Sequence, residues 1–98
     1  MSIENMIPYG QENAVTRDEL CAMTGLSDRK LRELIAEARR NVCIINLQDG
    51  RGYFRPLETE KELVKRYFEQ ERARAKTTLW AIRGAKNELR KIEGQTAL

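Results

Sequence analysis

At 98 residues, with 41% hydrophobic and 34% charged side chains, the chain has room for one modest core under a heavily solvated surface. It contains no histidine, which removes the usual general base and the commonest zinc ligand together, so hydrolase and metalloenzyme functions are poor expectations. The net charge of +3 is unevenly spread: residues 1–26 are net acidic and the basic excess falls after residue 26, which permits a polyanionic partner without requiring one.

No run approaches the ~18–20 apolar residues of a membrane span. The start, Met1-Ser2-Ile3-Glu4-Asn5, lacks the basic start and apolar block of a secretory signal. A cytoplasmic protein is expected, with no membrane partner. Cys21 and Cys43 stand 22 residues apart without further cysteine or histidine ligands. A metal site would be short of donors, and a disulfide would be opposed by a reducing cytosol. They are expected to be two small buried apolar residues.

In chain order, Pro8, Gly10 and Gln11-Glu12-Asn13 limit a first helix to about Ile3–Ile7. Thr16-Arg17-Asp18-Glu19 reads as a capping box opening a helix over Thr16 to Thr24, with Gly25 as its left-handed stop. Ser27 is the N-cap of the next helix, and Asp28 suits its first turn. Leu31, Leu34, Ile35 and Ala38 mark one buried face, and Arg39 and Arg40 close the helix. Two short helices joined by a three-residue, glycine-containing connection form a helix-turn-helix.

Beyond Asn41 the β-branched run Val42-Cys43-Ile44-Ile45-Asn46-Leu47 favours a strand. Gln48-Asp49-Gly50-Arg51-Gly52 reads as a turn, and Tyr53-Phe54-Arg55 as a returning strand that Pro56 ends. One of Tyr53 and Phe54 belongs to the core; the other suits the C-terminal helix. The expected fold is mainly α with a small β-hairpin: a winged helix-turn-helix domain over residues 1–56, then a helical extension over 57–98.

That extension is helix-forming from Leu57 to about Glu93. Val64, Phe68, Glu71, Ala75, Thr78, Ile82, Ala85, Leu89 and Ile92 alternate steps of four and three, a weak heptad seam. Val64, Phe68, Ala75, Ile82, Ala85, Leu89 and Ile92 are its candidate dimerisation residues. Gly84 costs about 1 kcal/mol relative to alanine and is a candidate kink or close crossing. Trp80 lies off the seam and needs a second contact surface. Lys65, Arg72, Lys76, Arg83 and Arg90 form a stripe roughly 40° wide at ideal pitch, readable as a phosphate track or as a solvated flank. Gln95-Thr96-Ala97-Leu98 is expected to fray.

On the Ser27–Arg40 helix, Arg29, Glu33, Ala36 and Arg40 point away from the apolar face, flanked by Arg32 and Lys30. The exposed N-terminal residues of such a helix meet base edges in the major groove, and a guanidinium matches guanine O6 and N7. Thr16, Arg17 and Ser27 stand at helix starts suited to phosphate. Arg51, between two glycines, is placed for sugar-phosphate or the minor groove. The candidate DNA-contacting residues are Thr16, Arg17, Ser27, Asp28, Arg29, Lys30, Arg32, Glu33, Arg40 and Arg51.

The stretch Thr16-Arg17-Asp18-Glu19-Leu20-Cys21-Ala22-Met23-Thr24-Gly25-Leu26-Ser27-Asp28-Arg29-Lys30-Leu31-Arg32-Glu33-Leu34-Ile35 resembles winged helix-turn-helix domains of bacterial and phage origin. Gly50-Arg51-Gly52-Tyr53-Phe54 looks like their wing. The resemblance covers about residues 14–56, is similar to the N-terminal module of biotin-ligase repressors, and departs at Asn41-Val42, where many relatives have a glycine. It implies a DNA-facing helix carrying Arg29 and Arg32 and a wing carrying Arg51. The expected function is sequence-preferring binding of double-stranded DNA, in transcription regulation or phage DNA transactions. A homodimer through the C-terminal helix is expected, with no cofactor. The alternative is a protein-interaction adaptor that uses the same parts without specific DNA binding. Catalysis is not expected, since Glu19 and Glu33 have no nucleophile or histidine beside them.

Overall fold

The computed structural model describes residues 2–96. The chain divides into two compact units, Met1–Tyr67 and Phe68–Leu98. The helices are α1 over Arg17–Thr24, α2 over Asp28–Ala38 and α3 over Lys61–Thr96. Ile3–Met6 makes a single 3-10 turn where a short helix is expected, and Gln11–Asn13 makes another.

Local chemistry sets the bounds of α1 and α2. The Thr16 hydroxyl accepts the Glu19 backbone N–H at 3.1 Å, and the Glu19 carboxylate accepts the Thr16 N–H at 3.2 Å, completing the capping box. Gly25 ends α1 in the left-handed region at φ 73°, its N–H donating to the Cys21 carbonyl at 2.9 Å. Ser27 then caps α2 by accepting the Lys30 N–H at 3.2 Å. Leu26, between the two helices, packs partly buried against the core.

Both helices pack around a cluster of buried Ile3, Ile7, Leu20, Leu31, Ile35, Ile44 and Tyr53. Each fully buried leucine or isoleucine contributes roughly 1.5–3 kcal/mol, and that burial fixes the rotation of α2. Ile3 and Ile7 come from the first turn and the residue after it, so the N-terminal segment belongs to this core.

The expected β-hairpin does not form. Among the described residues there is no β-strand and no sheet, only three isolated bridges: Tyr9 with Arg55, Val15 with Tyr53, and Ile45 with Phe54. The winged-helix assignment, which needs that hairpin as its wing, is therefore corrected to a mainly helical fold. Tyr53-Phe54-Arg55 is extended, but its successive residues bond to different segments. Phe54 exchanges two hydrogen bonds with Ile45 at 2.8 and 3.0 Å, while Tyr53 exchanges two with Val15 at 2.7 and 3.0 Å. Arg55 donates to the Pro8 carbonyl and accepts the Gly10 N–H, both at 2.8 Å.

A ladder cannot lengthen from the single Ile45–Phe54 bridge, because residues 46–52 form a broad loop. The Asn46 side chain accepts the Gln48 N–H at 2.9 Å, and Asp49 accepts the Arg51 N–H at 3.1 Å, local bonds that compete with cross-strand pairing. Gln48 adopts φ 62°, outside any strand. Ile44 and Ile45 are both fully buried, as are Tyr53 and Phe54 nearly so, without the alternation of a half-buried strand. Both aromatics are thus buried, and Tyr53 is the one in the main cluster.

Glu60 organises the approach to α3. Its carboxylate accepts the Leu57 N–H at 2.8 Å and the Gln11 N–H at 2.9 Å, tying the residue that precedes the helix to the N-terminal segment. α3 runs through Gly84 without interruption, and within one copy a Cβ built there would meet nothing within 4 Å. Residues 72–94 are all exposed, including the cations of the basic stripe from Arg72 onward. The helix extends through Thr96, and Ala97 and Leu98, the end of the tail expected to fray, lie outside the described residues.

Gly52 is at φ 99°, and a Cβ there would come within 2.1 Å of the Val15 carbonyl oxygen. Gly50 has φ 85° but nothing within 4 Å. In urea denaturation, Gly52→Ala is expected to cost more than about 2 kcal/mol, because the Tyr53–Val15 bridge must open, against about 1 kcal/mol for Gly50→Ala.

Candidate nucleic-acid interface

Burial of Leu31 and Ile35, with Leu34 and Ala38 half-buried beside them, turns Arg29, Arg32, Glu33, Ala36 and Arg40 toward solvent. Asp28 and Lys30 are exposed as well. The Arg29 side chain is 87% exposed, so little desolvation opposes its use in a contact. Of the two caps, Thr16 is fully engaged, because its hydroxyl also donates to the Glu19 carboxylate at 3.0 Å. Ser27 spends only its acceptor on the Lys30 N–H, and its hydroxyl proton can go to a phosphate oxygen.

The arginines of this face are held by carboxylates. Asp28 sits between two of them: one oxygen pairs with Arg17 of α1 and the other with Arg32 of α2 at 3.1 Å. Arg29 pairs with Glu33 at 3.3 Å, and Arg51 with Asp49 at 3.8 Å. Among the described residues Lys30 and Arg40 make no ion pair. Exposed pairs of this kind contribute about 0.2–1 kcal/mol each, whereas a bidentate arginine–guanine contact discriminates by about 1–3 kcal/mol. The pairs can therefore orient the guanidiniums in the free protein and yield to a duplex. Asp28 and Glu33 act here as holders of cations.

The start of α1 and the 46–52 loop face each other across a shallow cleft of about 300 Å³, lined by Thr16, Arg17, Asp18, Asn46, Gln48, Gly50, Gly52 and Tyr53. Arg51 is exposed on the same loop. Asn46 and Gln48 are polar groups of this cleft that the sequence reading assigned to a strand and a tight turn.

Arg39 is a further residue the sequence reading missed. Its Nε donates to the Ile44 carbonyl at 3.0 Å, and its guanidinium lies 5.7 Å from the Tyr53 ring and 5.3 Å from the Tyr67 ring. It joins the end of α2 to the segments that follow. The only signal was two adjacent arginines at a helix end, and nothing distinguished Arg39 from exposed Arg40.

The two cysteines differ. Cys21 is half-buried against the core as expected of a small apolar residue, but Cys43 is exposed. The Cys43 thiol itself is partly desolvated, which pushes its pKa up despite the opposing pull of Arg39 and Arg55. Among the described residues no group of three or more potential ligands is arranged to hold a metal ion, and no helix is long and apolar enough to cross a membrane.

On α3, Val64 is half-buried, while Phe68, Ala75, Ile82, Ala85, Leu89 and Ile92 are exposed. Comparison with known protein families, with curated proteins and with solved structures finds no match to this chain.

Because their ion pairs are solvated, Arg29→Ala and Arg32→Ala are each expected to change stability in urea by less than about 1 kcal/mol. Arg39→Ala, which loses two ring contacts and leaves the Ile44 carbonyl without its donor, is expected to cost about 1–3 kcal/mol. That contrast separates the two solvated arginines from a structural one.

Proposed function

We propose that the protein binds double-stranded DNA with sequence preference, as a homodimer through α3, in transcription regulation or phage DNA transactions within the bacterial cytoplasm, at the nucleoid. The observation that carries this reading is the exposed face of α2: Arg29, Lys30 and Arg32 rotate outward on a capped helix that a three-residue turn joins to α1, and Arg40 is exposed two residues past its end. In this reading α2 enters the major groove, and Arg29 and Arg32 exchange Glu33 and Asp28 for base edges. Arg17, Ser27 and the Arg51 loop hold the phosphate backbone. Binding involves no chemistry and no cofactor.

One observation favours the adaptor alternative. Trp80 is 62% exposed on α3, away from the seam that a second copy would cover. An adaptor would use it against another protein and bind DNA only weakly.

The discriminating measurement is fluorescence anisotropy with a pool of random duplexes at about 50 and about 200 mM salt. If Arg17, Lys30, Arg40 and Arg51 of both copies lie on phosphates, affinity falls roughly 10⁴-fold between the two conditions. The selected sequence is preferred by the native chain and not by Arg29→Ala/Arg32→Ala, whose fold survives. A dissociation constant weaker than about 10⁻⁴ M at low salt would sink the proposal in favour of the adaptor.

A further inference from the structure

A single copy leaves α3 in an unfavourable condition. Every residue from 72 to 94 is exposed, and so are Phe68, Leu79, Ile82, Leu89 and Ile92, at 49–62% of their full areas. A helix without a packed face gains little beyond its weak intrinsic propensity. We propose that the occupant of this face is α3 of a second copy running antiparallel, with Phe68 of each helix opposite Ile92 of the other. The proposal rests on the homodimer part of the reading above, and adds the direction and register of the pair.

Three features of the helix select this arrangement. The first is the flanking charge. In the antiparallel register Arg74 faces Glu88 of the second copy, and Lys65 faces Glu93, each pair occurring twice by symmetry. The parallel register instead brings Glu88 against Glu93 and leaves Arg74 against Leu79. The second is Glu71, a carboxylate within the seam. Parallel helices would bury it against its own copy, whereas antiparallel helices set it against Leu89, with Arg74 of its own helix 3.6 Å away to cover its charge.

The third feature is Leu79, 62% exposed and just off the seam. Antiparallel pairing places it against Leu79 of the second copy near the two-fold axis. Around that axis Thr78 meets Ile82, and Ala75 meets Ala85 in a layer small enough for a close approach. One contact opposes the arrangement: Arg72 faces Lys86, a solvated like-charge pair that salt screens. The register sets the two Phe68 positions about 36 Å apart along the pair, on the order of one turn of B-DNA.

The test is made on the full chain. Sedimentation equilibrium at micromolar concentration is expected to show a dimer. Arg74→Glu and Glu88→Arg are each expected to weaken it at least tenfold, and the double swap to bind at least threefold tighter than Arg74→Glu alone, with the loss of the Arg74–Glu71 pair keeping it below the native chain. For direction, Glu71→Cys and Leu89→Cys are made separately in a Cys21→Ser/Cys43→Ser background, mixed and oxidised. Cross-links between the two different chains support the antiparallel pair. Self-cross-linking of each chain, a tighter dimer for Glu88→Arg, or a monomeric native chain overturns it. Anisotropy on the same samples keeps the two readings apart. Selective DNA binding by a monomer or parallel dimer removes only the pairing proposal, and an antiparallel dimer blind to DNA removes only the DNA reading.

Discussion

Three consecutive residues, Tyr53, Phe54 and Arg55, bond through their backbones to three other parts of the amino-terminal unit. An extended chain points its N–H and C=O groups alternately to its two sides, so Phe54 reaches Ile45 while Tyr53 and Arg55 reach the 8–15 segment. The α1–α2 pair is thereby fixed at both ends: the Val15 bridge lies next to the Thr16 cap of α1, and the Ile45 bridge follows the turn that leaves α2. Gly52 is what lets Tyr53 come this close, since any side chain there would strike the Val15 backbone. Arg39 adds a second tie through Ile44 and the Tyr53 and Tyr67 rings. The orientation of the exposed α2 face depends on these loop contacts as well as on the helices.

The charge arrangement on that face follows a similar economy. Asp28 stabilises the N-terminus of α2, and it also holds Arg17 and Arg32 from two different helices. An arginine held by a solvated carboxylate loses part of its rotamer freedom before any partner arrives, yet gives up under about 1 kcal/mol on leaving it. The same pairs lower the net positive potential of the surface. Non-specific attraction to a polyanion is thus weaker than an arginine count suggests.

The parts of this fold that were legible in the sequence are those set by short-range chemistry. Thr16 with Glu19, Gly25 and Ser27 each act within a few residues, so helix bounds and the rotation of α2 could be read directly. The segment 42–55 was misread because β-branched residues and an Asp-Gly pair signal the same thing whether their backbone partners are each other or distant. Here most of the partners are Pro8, Gly10 and Val15, some 40 residues away. Burial of two adjacent isoleucines answers to tertiary packing that periodicity does not encode. The site was partly legible: Arg29 and Arg32 lie outward as the wheel requires, but their carboxylate partners, the Asn46 and Gln48 side of the cleft and the bridging role of Arg39 arise only on folding.

The composition of α3 bears on which partner it serves. At ideal pitch Trp80 lies about 180° from the centre of the seam, so pairing of two α3 helices covers Phe68, Ile82, Leu89 and Ile92 but leaves the indole in water. The basic stripe from Lys65 to Arg90 lies between these two faces, and among the described residues only Lys65 within it has an ion pair, with Glu62 at 3.4 Å. A helix with one apolar seam, one cationic flank and one isolated tryptophan opposite has more surface character than self-association consumes. The seam suits a second copy because its small central residues and flanking charges match their own reversed image. Within the stripe only Lys65 meets an opposite charge in the reversed copy, Glu93, whereas Arg72 opposite Lys86 adds repulsion.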